Sequence, residues 1–274
     1  MKEDDIAHYR AGYVTAKTDG WPASVDRHRV PYHTKHYDIL ALNKDTMVWR
    51  EVNQNPVVVR KLYYGRGPIS WWREHLFAFR VEREYQALSY LAERGVPCSE
   101  PIEWTRGVDP YLGHRYEVLS TKEIPNAVTF ESMWRDEELG LEGKLPVLKQ
   151  CLQLIRQVHE AGLYHGALYI RNVMVQQTAE GWQPFIIDTP KAVRCYKSLV
   201  GDNLARIDLC HFLKPLLAKL TNEQLLEILA AYGMENHAAQ RFILYIHKYR
   251  GGKHQRNKER AYAMLRSLGV RENA

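Results

Sequence analysis

Two runs of apolar and β-branched residues near the start of the chain do most to limit how it can fold. They occupy residues 46–52 (TMVWREV) and 56–64 (PVVVRKLYY), and only a short polar stretch separates them. Runs of this composition, bounded by turn-forming residues, are typical of β-strands. The early part of the chain therefore predicts a β-hairpin.

A helix is predicted to follow at residues 79–94, because a Gly and then a Pro stand just beyond it in the usual order of a helix end. Its apolar stripe consists of Val81, Leu88 and Leu91. Glu84 falls on the same stripe. Because an unpaired buried charge is costly, Glu84 is expected to have a partner.

The later part of the chain is mostly helical in its periodicity. Helices are predicted at residues 145–160, about 203–220, after Thr221 with Gln224 closing a capping box, 235–249 and 259–268. Strands are predicted at residues 115–119, 172–176 and 184–188, with an irregular connector at 121–126 that suits a hinge.

This order of elements predicts an α+β, two-lobed chain. Residues 46–125 would form a small β-rich lobe, and residues 126–274 a helical lobe with a basic C-terminal segment. Residues 1–45 show little periodicity, so an N-terminal extension is expected there.

The charge of the chain favours an anionic partner. The formal net charge is +6, and the basic excess is strongest in residues 247–260, which carry six Lys or Arg against one Glu. That segment is interpreted either as a solvated linker or as a basic surface that attracts lipid headgroups. Nucleic-acid binding is not favoured, because no recognised nucleic-acid motif accompanies the basic residues. No stretch approaches the roughly 20 apolar residues of a membrane span. A cytoplasmic location is therefore expected, and the protein could also bind peripherally to the cytoplasmic face of the inner membrane.

The sharpest chemical feature is a loop at residues 164–175 (YHGALYIRNVMV), which leaves a helix and enters a strand. The strand after it ends at Asp188, at the same end of the predicted hairpin as Asn172. Together an Asn and an Asp can offer oxygen ligands to Mg²⁺ beside a polyphosphate. Taken alone, such residues are more often turn-formers.

The order His-x-x-Leu-x-x-x-Asn from His165 to Asn172, followed by Asp188, resembles the catalytic and metal-binding loops of protein kinases. The resemblance implies that Asn172 and Asp188 are metal ligands and that His165 supports the loop. It also implies that Glu84 pairs with a phosphate-binding base and that Asp208 braces the loop from a large helix.

More narrowly, the chain resembles the lipopolysaccharide kinase family, the bacterial Kdo and core-heptose kinases and their InaA-type relatives. The resemblance lies in residues 57–67 (VVVRKLYYGRG), 83–88 (REYQAL) with 95–97 (GVP), and 165–169 (HGALY). It implies a bilobal protein-kinase-like fold and transfer of the ATP γ-phosphate, with Mg²⁺, to a sugar hydroxyl of the lipopolysaccharide core or a related glycolipid. The expected partners are therefore a nucleotide and an anionic glycolipid or sugar.

Two residues compete for the role of the phosphate-binding base. Alternate side chains of a strand share a face, so Arg60 and Lys61 point in opposite directions and only one can meet Glu84. Alignment with the family favours Arg60, whereas the compact charge of an ammonium group favours Lys61. Both stay open at this point.

The chain departs from the kinase pattern at Ala167, where a kinase holds the carboxylate that orients and deprotonates the attacking hydroxyl. Such a base is worth about 10²- to 10⁴-fold in rate. An atypical kinase and a pseudokinase, which binds nucleotide or acts as a scaffold, are therefore competing hypotheses. Tyr169, Asp188 and Asp202 could replace the missing base. In addition, no glycine-rich loop joins the first two strands.

Overall fold

The computed structural model describes residues 37–43, 46–51, 55–64, 80–108, 115–249 and 263. The chain divides into two compact units, Met1–Tyr85 with Glu100–Glu123 and Gln86–Ser99 with Ile124–Ala274. The first unit holds a β-sheet and the second is mainly helical, so the predicted α+β class is confirmed.

The first unit is built on a five-stranded antiparallel sheet with the strand order β1-β2-β3-β5-β4. Its strands are β1 (Tyr37–Asn43), β2 (Thr46–Glu51), β3 (Val58–Tyr64), β4 (Pro101–Val108) and β5 (Arg115–Lys122). The predicted hairpin is the β2–β3 pair, in which Trp49 lies opposite Arg60. Strand β1 precedes residue 46, so the sheet begins inside the stretch that was assigned to an extension. The remaining residues of that extension lie outside the described part of the chain.

Helix α1 (Arg80–Ala92) matches the predicted helix to within two residues at each end. The division between the two units falls inside α1, after Tyr85. All three apolar residues of the predicted stripe are buried, and Glu84 on the same stripe is only 1% exposed. The stripe therefore does place a carboxylate in the interior.

Five helices of the second unit are described: α2 (Phe130–Arg135), α3 (Leu141–Glu160), α4 (Asn203–Leu213), α5 (Asn222–Ala231) and α6 (Asn236–Lys248). The helix predicted at residues 203–220 is shorter, because its last part is a 3₁₀ segment at Lys214–Lys219. The capping box at the start of α5 is confirmed, since Thr221 and Gln224 each accept a hydrogen bond from the backbone N–H of the other.

The strands of the second unit form two small sheets. Strands β6 (Ala127–Thr129), β8 (Val173–Thr178) and β9 (Gly181–Ile186) form one sheet, with β8 in the middle. Strands β7 (Leu163–Tyr164) and β10 (Val193–Arg194) form the other. The chain between β7 and β8 contains the predicted loop and a 3₁₀ turn at Ile170–Asn172.

Helix α3 lies at the centre of the core of the second unit. Its apolar stripe is buried among residues of α2, α4, α5 and α6 and of the β8–β9 hairpin. Within this core the rings of Phe130 and Phe212 lie 5.4 Å apart. Residues of α3 and α4 thus share one hydrophobic core.

No helix within the described residues is long and apolar enough to cross a membrane. The basic segment of residues 247–260 lies outside the described part of the chain from residue 250 onwards. The helix predicted at 259–268 also lies outside it, apart from Ala263, which is helical and fully buried.

The central position of α3 gives a test of the core. Leu152 on α3 is fully buried, whereas Leu244 on α6 is 66% exposed. Leu152→Ala is expected to lower the free energy of unfolding by about 2–5 kcal/mol, because it removes buried apolar contacts and leaves a cavity. Leu244→Ala makes the same chemical change and should cost less than about 0.5 kcal/mol. Urea unfolding of both variants measures the difference, and equal costs would contradict this assignment of the core.

Candidate active site

Lys61 and Glu84 form an ion pair in the first unit. The Lys61 ammonium lies 3.1 Å from Glu84 Oε1 and 3.5 Å from Oε2. The hydroxyl of Tyr63 donates to Glu84 Oε2 at 3.0 Å. Glu84 is thus a buried carboxylate with both a charged and a neutral partner, as the cost of burying a charge requires.

Arg60 points to the other face of β3. Its guanidinium binds Glu51 at 2.8 Å, Glu103 at 3.1 Å and the hydroxyl of Ser120 at 2.9 Å. These partners come from strands β2, β4 and β5, so Arg60 ties the sheet together. Of the two residues that the sequence left open, Lys61 is the one that meets Glu84.

The start of α1 is fixed by a second buried carboxylate. Glu117 on β5 accepts a hydrogen bond from the backbone N–H of Val81 at 2.8 Å. A negative group at this position satisfies one of the otherwise unpaired amides of the first helical turn and suits the helix dipole. The contact holds the first turn of α1 against the sheet and so positions Glu84, one turn further along.

The loop between β7 and β8 is held by Asp208, which lies on α4 and is completely buried. Its two carboxylate oxygens accept from the backbone N–H groups of His165, at 2.7 Å, and Gly166, at 3.0 Å. Charge-assisted hydrogen bonds of this kind are about twice as strong as neutral ones. Asp208 therefore fixes the backbone just before Ala167.

His165 is fully buried, and its backbone N–H, not its ring, is bonded to Asp208. Its Nε2 lies 3.2 Å from the carbonyl oxygen of Ile187, which can only accept, so Nε2 carries the hydrogen. The side chain thereby links the loop to the residue that precedes Asp188. This contact is a structural one.

A second histidine supports the same carboxylate and was missed by the sequence reading. His159, near the end of α3, has Nε2 at 3.4 Å from Asp208 and Nδ1 at 2.8 Å from the hydroxyl of Tyr232. The Asp208 carboxylate can only accept, so Nε2 carries the hydrogen that faces it. Burial raises the pKa of Tyr232. His159 lies four residues after Ile155 and continues the apolar stripe of α3, which is the same signal that identified Glu84.

Asn172 and Asp188 lie at the same end of the β8–β9 hairpin. The register places Val173 opposite Ile186, and the N–H of Ile187 donates to the carbonyl of Asn172 at 3.1 Å. The Asn172 amide Nδ2 donates to the carbonyl of Ala167 at 2.8 Å, which leaves its Oδ1 as the group that can bind a cation. Asp188 has a left-handed backbone, with φ of 57°. A short polar side chain tolerates that conformation better than a bulky one.

The residue types at this end of the hairpin fit a hard cation. An amide oxygen and a carboxylate are the oxygen ligands that Mg²⁺ accepts, and Mg²⁺ commonly takes only one or two protein ligands together with phosphate oxygens and water. Among the described residues, no group of three or more His, Cys, Asp or Glu side chains could hold a metal ion. The two oxygen donors, Asn172 Oδ1 and the Asp188 carboxylate, fit a metal that arrives with phosphate oxygens and water.

Ala167 is 6% exposed and brings no carboxylate to the loop. Of the residues that could replace one, Asp202 caps α4 by accepting from the N–H of Leu204 at 2.9 Å. Tyr169 has its ring 5.3 Å from that of His211, and Arg171 lies over the same ring at 4.7 Å. Asp202 therefore caps α4, and the ring of Tyr169 packs against the side chains of His211 and Arg171. Asp188 is one of the two oxygen donors at the end of the hairpin.

Residues 39–232 match the model of the Lipopolysaccharide kinase (Kdo/WaaP) family. A 3-deoxy-D-manno-octulosonic acid kinase of Vibrio parahaemolyticus is 33% identical over 144 residues, which cover 51% of this chain and 55% of the relative. A kinase of the same name from Haemophilus influenzae is 29% identical over 109 residues, covering 39% of this chain and 43% of the relative. The matched part spans about half the length of these relatives.

A solved structure of WaaP in complex with acyl carrier protein is similar in fold, with a TM-score of 0.56 and 17% identity. The likeness covers 81% of this chain and 88% of that chain. At this level of identity it speaks for the fold alone, and it agrees with a β-rich first unit followed by a helical second unit.

The two bonds at Asp208 generate a stability prediction. Asp208→Asn should lower the free energy of unfolding by about 2–3 kcal/mol, because an amide cannot accept from both loop N–H groups and leaves one of them unpaired in the interior. Asp136→Asn is the matched control, since Asp136 is exposed and accepts one bond from the N–H of Glu138, which an Asn oxygen can also accept. Urea unfolding compares the two variants, and an equal effect would mean that Asp208 does not hold the loop.

Proposed function

Because the chain belongs to the lipopolysaccharide kinase (Kdo/WaaP) family, we propose that it transfers the γ-phosphate of ATP to a hydroxyl group of a lipopolysaccharide core sugar. The observation that carries the proposal is the buried Lys61–Glu84 pair. Burying a carboxylate beside a partly exposed ammonium group is costly for stability, because the charge loses its hydration. It is the arrangement expected of a phosphate-binding site.

In this proposal Lys61 binds the phosphates of the nucleotide. Its side chain is 19% exposed, so the ammonium can reach a ligand while Glu84 and Tyr63 hold it in one direction. Arg60 does not take part, because its guanidinium is committed to carboxylates on the opposite face of β3. The first unit thus supplies the positive charge that orients the phosphate chain.

The second unit supplies the metal-binding groups. Asn172 Oδ1 and the Asp188 carboxylate would hold Mg²⁺, which neutralises developing charge on the transferring phosphoryl group when it is bound. Asp208 and His165 act through the backbone by fixing the loop and the approach to Asp188. They are positioning residues in this scheme.

Ala167 sets the expected rate. Phosphoryl transfer depends mostly on positioning and on charge neutralisation, both of which the chain retains in Lys61 and Asp188. What it lacks is a carboxylate that accepts the proton of the attacking hydroxyl, a contribution of about 10²- to 10⁴-fold. The proposed kinase is therefore a slow one, and transfer without a protein base at position 167 is its distinguishing feature.

The acceptor in this proposal is a sugar acid of the lipopolysaccharide core. The two named relatives act, by their names, on 3-deoxy-D-manno-octulosonic acid. The formal charge of +6 suits an anionic acceptor of this kind. Because that sugar is attached to a lipid, the proposal includes peripheral contact with the cytoplasmic face of the inner membrane.

Nucleotide binding is tested with a matched pair of neighbouring cations. Wild-type protein should gain several degrees in melting temperature with ATP and Mg²⁺, because a ligand that binds only the folded state stabilises it. Lys61→Met should abolish the shift, and Arg60→Met should keep it even if its own starting melting temperature is lower. Thermal unfolding monitored by fluorescence gives both values. A lost shift in Arg60→Met with a retained shift in Lys61→Met would reverse the assignment.

Phosphate transfer is tested through the missing carboxylate. Wild-type protein should transfer labelled γ-phosphate from ATP to a lipid A acceptor that bears the sugar acid, and Ala167→Asp should raise kcat at least about tenfold by adding a proton acceptor. Ala167→Asn has the same size and cannot take up a proton, so it should give no gain.

Asp188→Ala serves as the inactive variant in that assay. Nucleotide binding by the wild-type protein without any transfer would contradict the proposed activity and indicate a protein that only binds nucleotide. Equal rates for Ala167→Asp and Ala167→Asn would show that position 167 is not where the attacking hydroxyl is deprotonated.

A further inference from the structure

The ring of Tyr90 holds two arginine side chains of the second unit. The guanidinium carbon of Arg94 lies 3.7 Å from the centre of this ring, and that of Arg194 lies 4.3 Å from it. Arg94 follows helix α1, whereas Arg194 lies on strand β10, so the fold brings together two charges that are distant in the chain. The two distances limit the separation of the guanidinium carbons to at most about 8 Å.

The ring that carries the two charges is itself held in place. The Tyr90 hydroxyl donates to the carbonyl of Ala161 at 2.6 Å, at the end of α3. The backbone of Arg194 is fixed as well, because β10 pairs with β7 and places this residue opposite Leu163. Contact with an aromatic face restricts the directions in which an arginine can point. The two guanidinium groups are therefore presented from a defined platform.

Neither guanidinium is neutralised by a carboxylate of the described residues. Glu93 stands next to Arg94 in the chain and is exposed, but it pairs with neither arginine. The carboxylate of Glu160, at the end of α3, binds Arg156. Apart from its ring contact, Arg94 makes one long hydrogen bond, from Nη1 to the carbonyl of Tyr90 at 3.4 Å.

The sequence around Arg194 adds no negative charge. Residues 189–201 (TPKAVRCYKSLVG) contain three Lys or Arg and no Asp or Glu. Tyr196, two residues after Arg194, is 82% exposed. The pair of arginines thus lies in a basic part of the chain with an exposed aromatic side chain close by in sequence.

The hydrogen-bond donors of the two arginines remain available. Contact with the ring uses the flat face of a guanidinium group, while its N–H donors project from the edge in the plane of the group. Both arginines are exposed, so these edges are open to solvent. Two positive charges this close repel each other, and an anion bound by both removes the repulsion. A phosphate group has enough oxygens to accept from two such forks at once.

We propose that Arg94 and Arg194, held by Tyr90, form a binding site for a phosphate group. The site uses none of the residues assigned to phosphate transfer, so it goes beyond the proposed function. Its ligand is a phosphate monoester, either in solution or as the headgroup of an anionic lipid. The two sources share the chemistry that the arginines recognise, and they are separated by experiment.

The first experiment titrates the protein with inorganic phosphate and follows binding by phosphorus NMR. Arg94→Gln and Arg194→Gln should each weaken binding about 10-fold, as expected for loss of a hydrogen bond to a charged group. Arg206→Gln is the matched control, because Arg206 also lies over a tyrosine ring, that of Tyr245 at 4.5 Å, and loses the same charge. It should leave binding unchanged within about twofold. Unchanged binding in the first two variants, or an equal loss in Arg206→Gln, overturns the inference.

The role of the ring is tested without any change of charge. Tyr90→Leu removes the platform and should weaken phosphate binding about fivefold, because both cation–π contacts are lost. Tyr90→Phe keeps the ring and should retain most of the affinity. Thermal unfolding of each variant shows whether it is folded at the temperature of the titration. Full affinity in a folded Tyr90→Leu would show that the ring does not build the site and would overturn the proposal.

The source of the phosphate is identified with vesicles. Phosphatidylcholine vesicles that contain phosphatidic acid should bind the wild-type protein more tightly than phosphatidylcholine alone, measured by co-sedimentation. Arg94→Gln and Arg194→Gln should each lower this binding at least about fivefold, with Arg206→Gln unchanged, if the ligand is a lipid headgroup. Binding of phosphate in solution without vesicle binding identifies a soluble phosphate ester. Binding of neither overturns the inference.

Failure of this inference can be told apart from failure of the proposed kinase activity, because both experiments are done without ATP and without transfer. Lys61→Met removes the cation assigned to the nucleotide and should leave phosphate binding unchanged within about twofold. A loss in Lys61→Met as large as that in Arg94→Gln would place the phosphate on the nucleotide site and overturn the separate site.

Discussion

The carboxylate of Asp208 is the contact on which the second unit's site depends. One buried charge from α4 accepts two backbone hydrogen bonds from His165 and Gly166, and His159 approaches it from α3. A charge in this position is tolerated because both carboxylate oxygens have hydrogen-bond partners, which tie the loop to the two helices. Tyr232 extends the same chain of contacts to the end of α5 through His159. The backbone before position 167 is therefore held by bonds to its N–H groups, which do not involve the side chain of residue 167. That is how the chain can carry Ala167 without losing the conformation of the residues around it.

The first unit solves a similar problem with different chemistry. Glu84 is as deeply buried as Asp208, yet its partners are side chains, the Lys61 ammonium and the Tyr63 hydroxyl. A side-chain pair can let one member reach a ligand, whereas bonds to backbone amides can only fix geometry. Lys61 remains partly exposed, and Glu84 does not. The two carboxylates thus differ in purpose as well as in location: one orients a cation, and the other shapes a loop.

Much of this arrangement could be predicted from the sequence, and the omissions have physical causes. The burial of Glu84 followed from its place on an apolar stripe, and the β2–β3 hairpin from its β-branched runs. Strands β1 and β4 were not predicted, and both lie at the edges of the sheet, where side chains such as Leu40 and Ile102 stay exposed and apolar alternation is weak. The choice between Arg60 and Lys61 needed the sheet itself, because only the carboxylates on β2 and β4 show which face Arg60 occupies. His159 was missed although its position on the stripe of α3 carried the signal.

The amide of Asn172 has a consequence for which residue can stand there. Its Nδ2 donates to the carbonyl of Ala167, while Oδ1 remains for a cation. An aspartate would be the stronger ligand for a divalent ion, but its carboxylate has no hydrogen to donate to that carbonyl, so this hydrogen bond would be lost. In the proposed metal site, Asn172 would therefore be a weaker ligand than an aspartate, but it keeps the hydrogen bond to the loop. The Asn172 amide donates to the loop through Nδ2 and still has Oδ1 as an acceptor, so the local backbone, as well as the proposed ion, favours asparagine at this position.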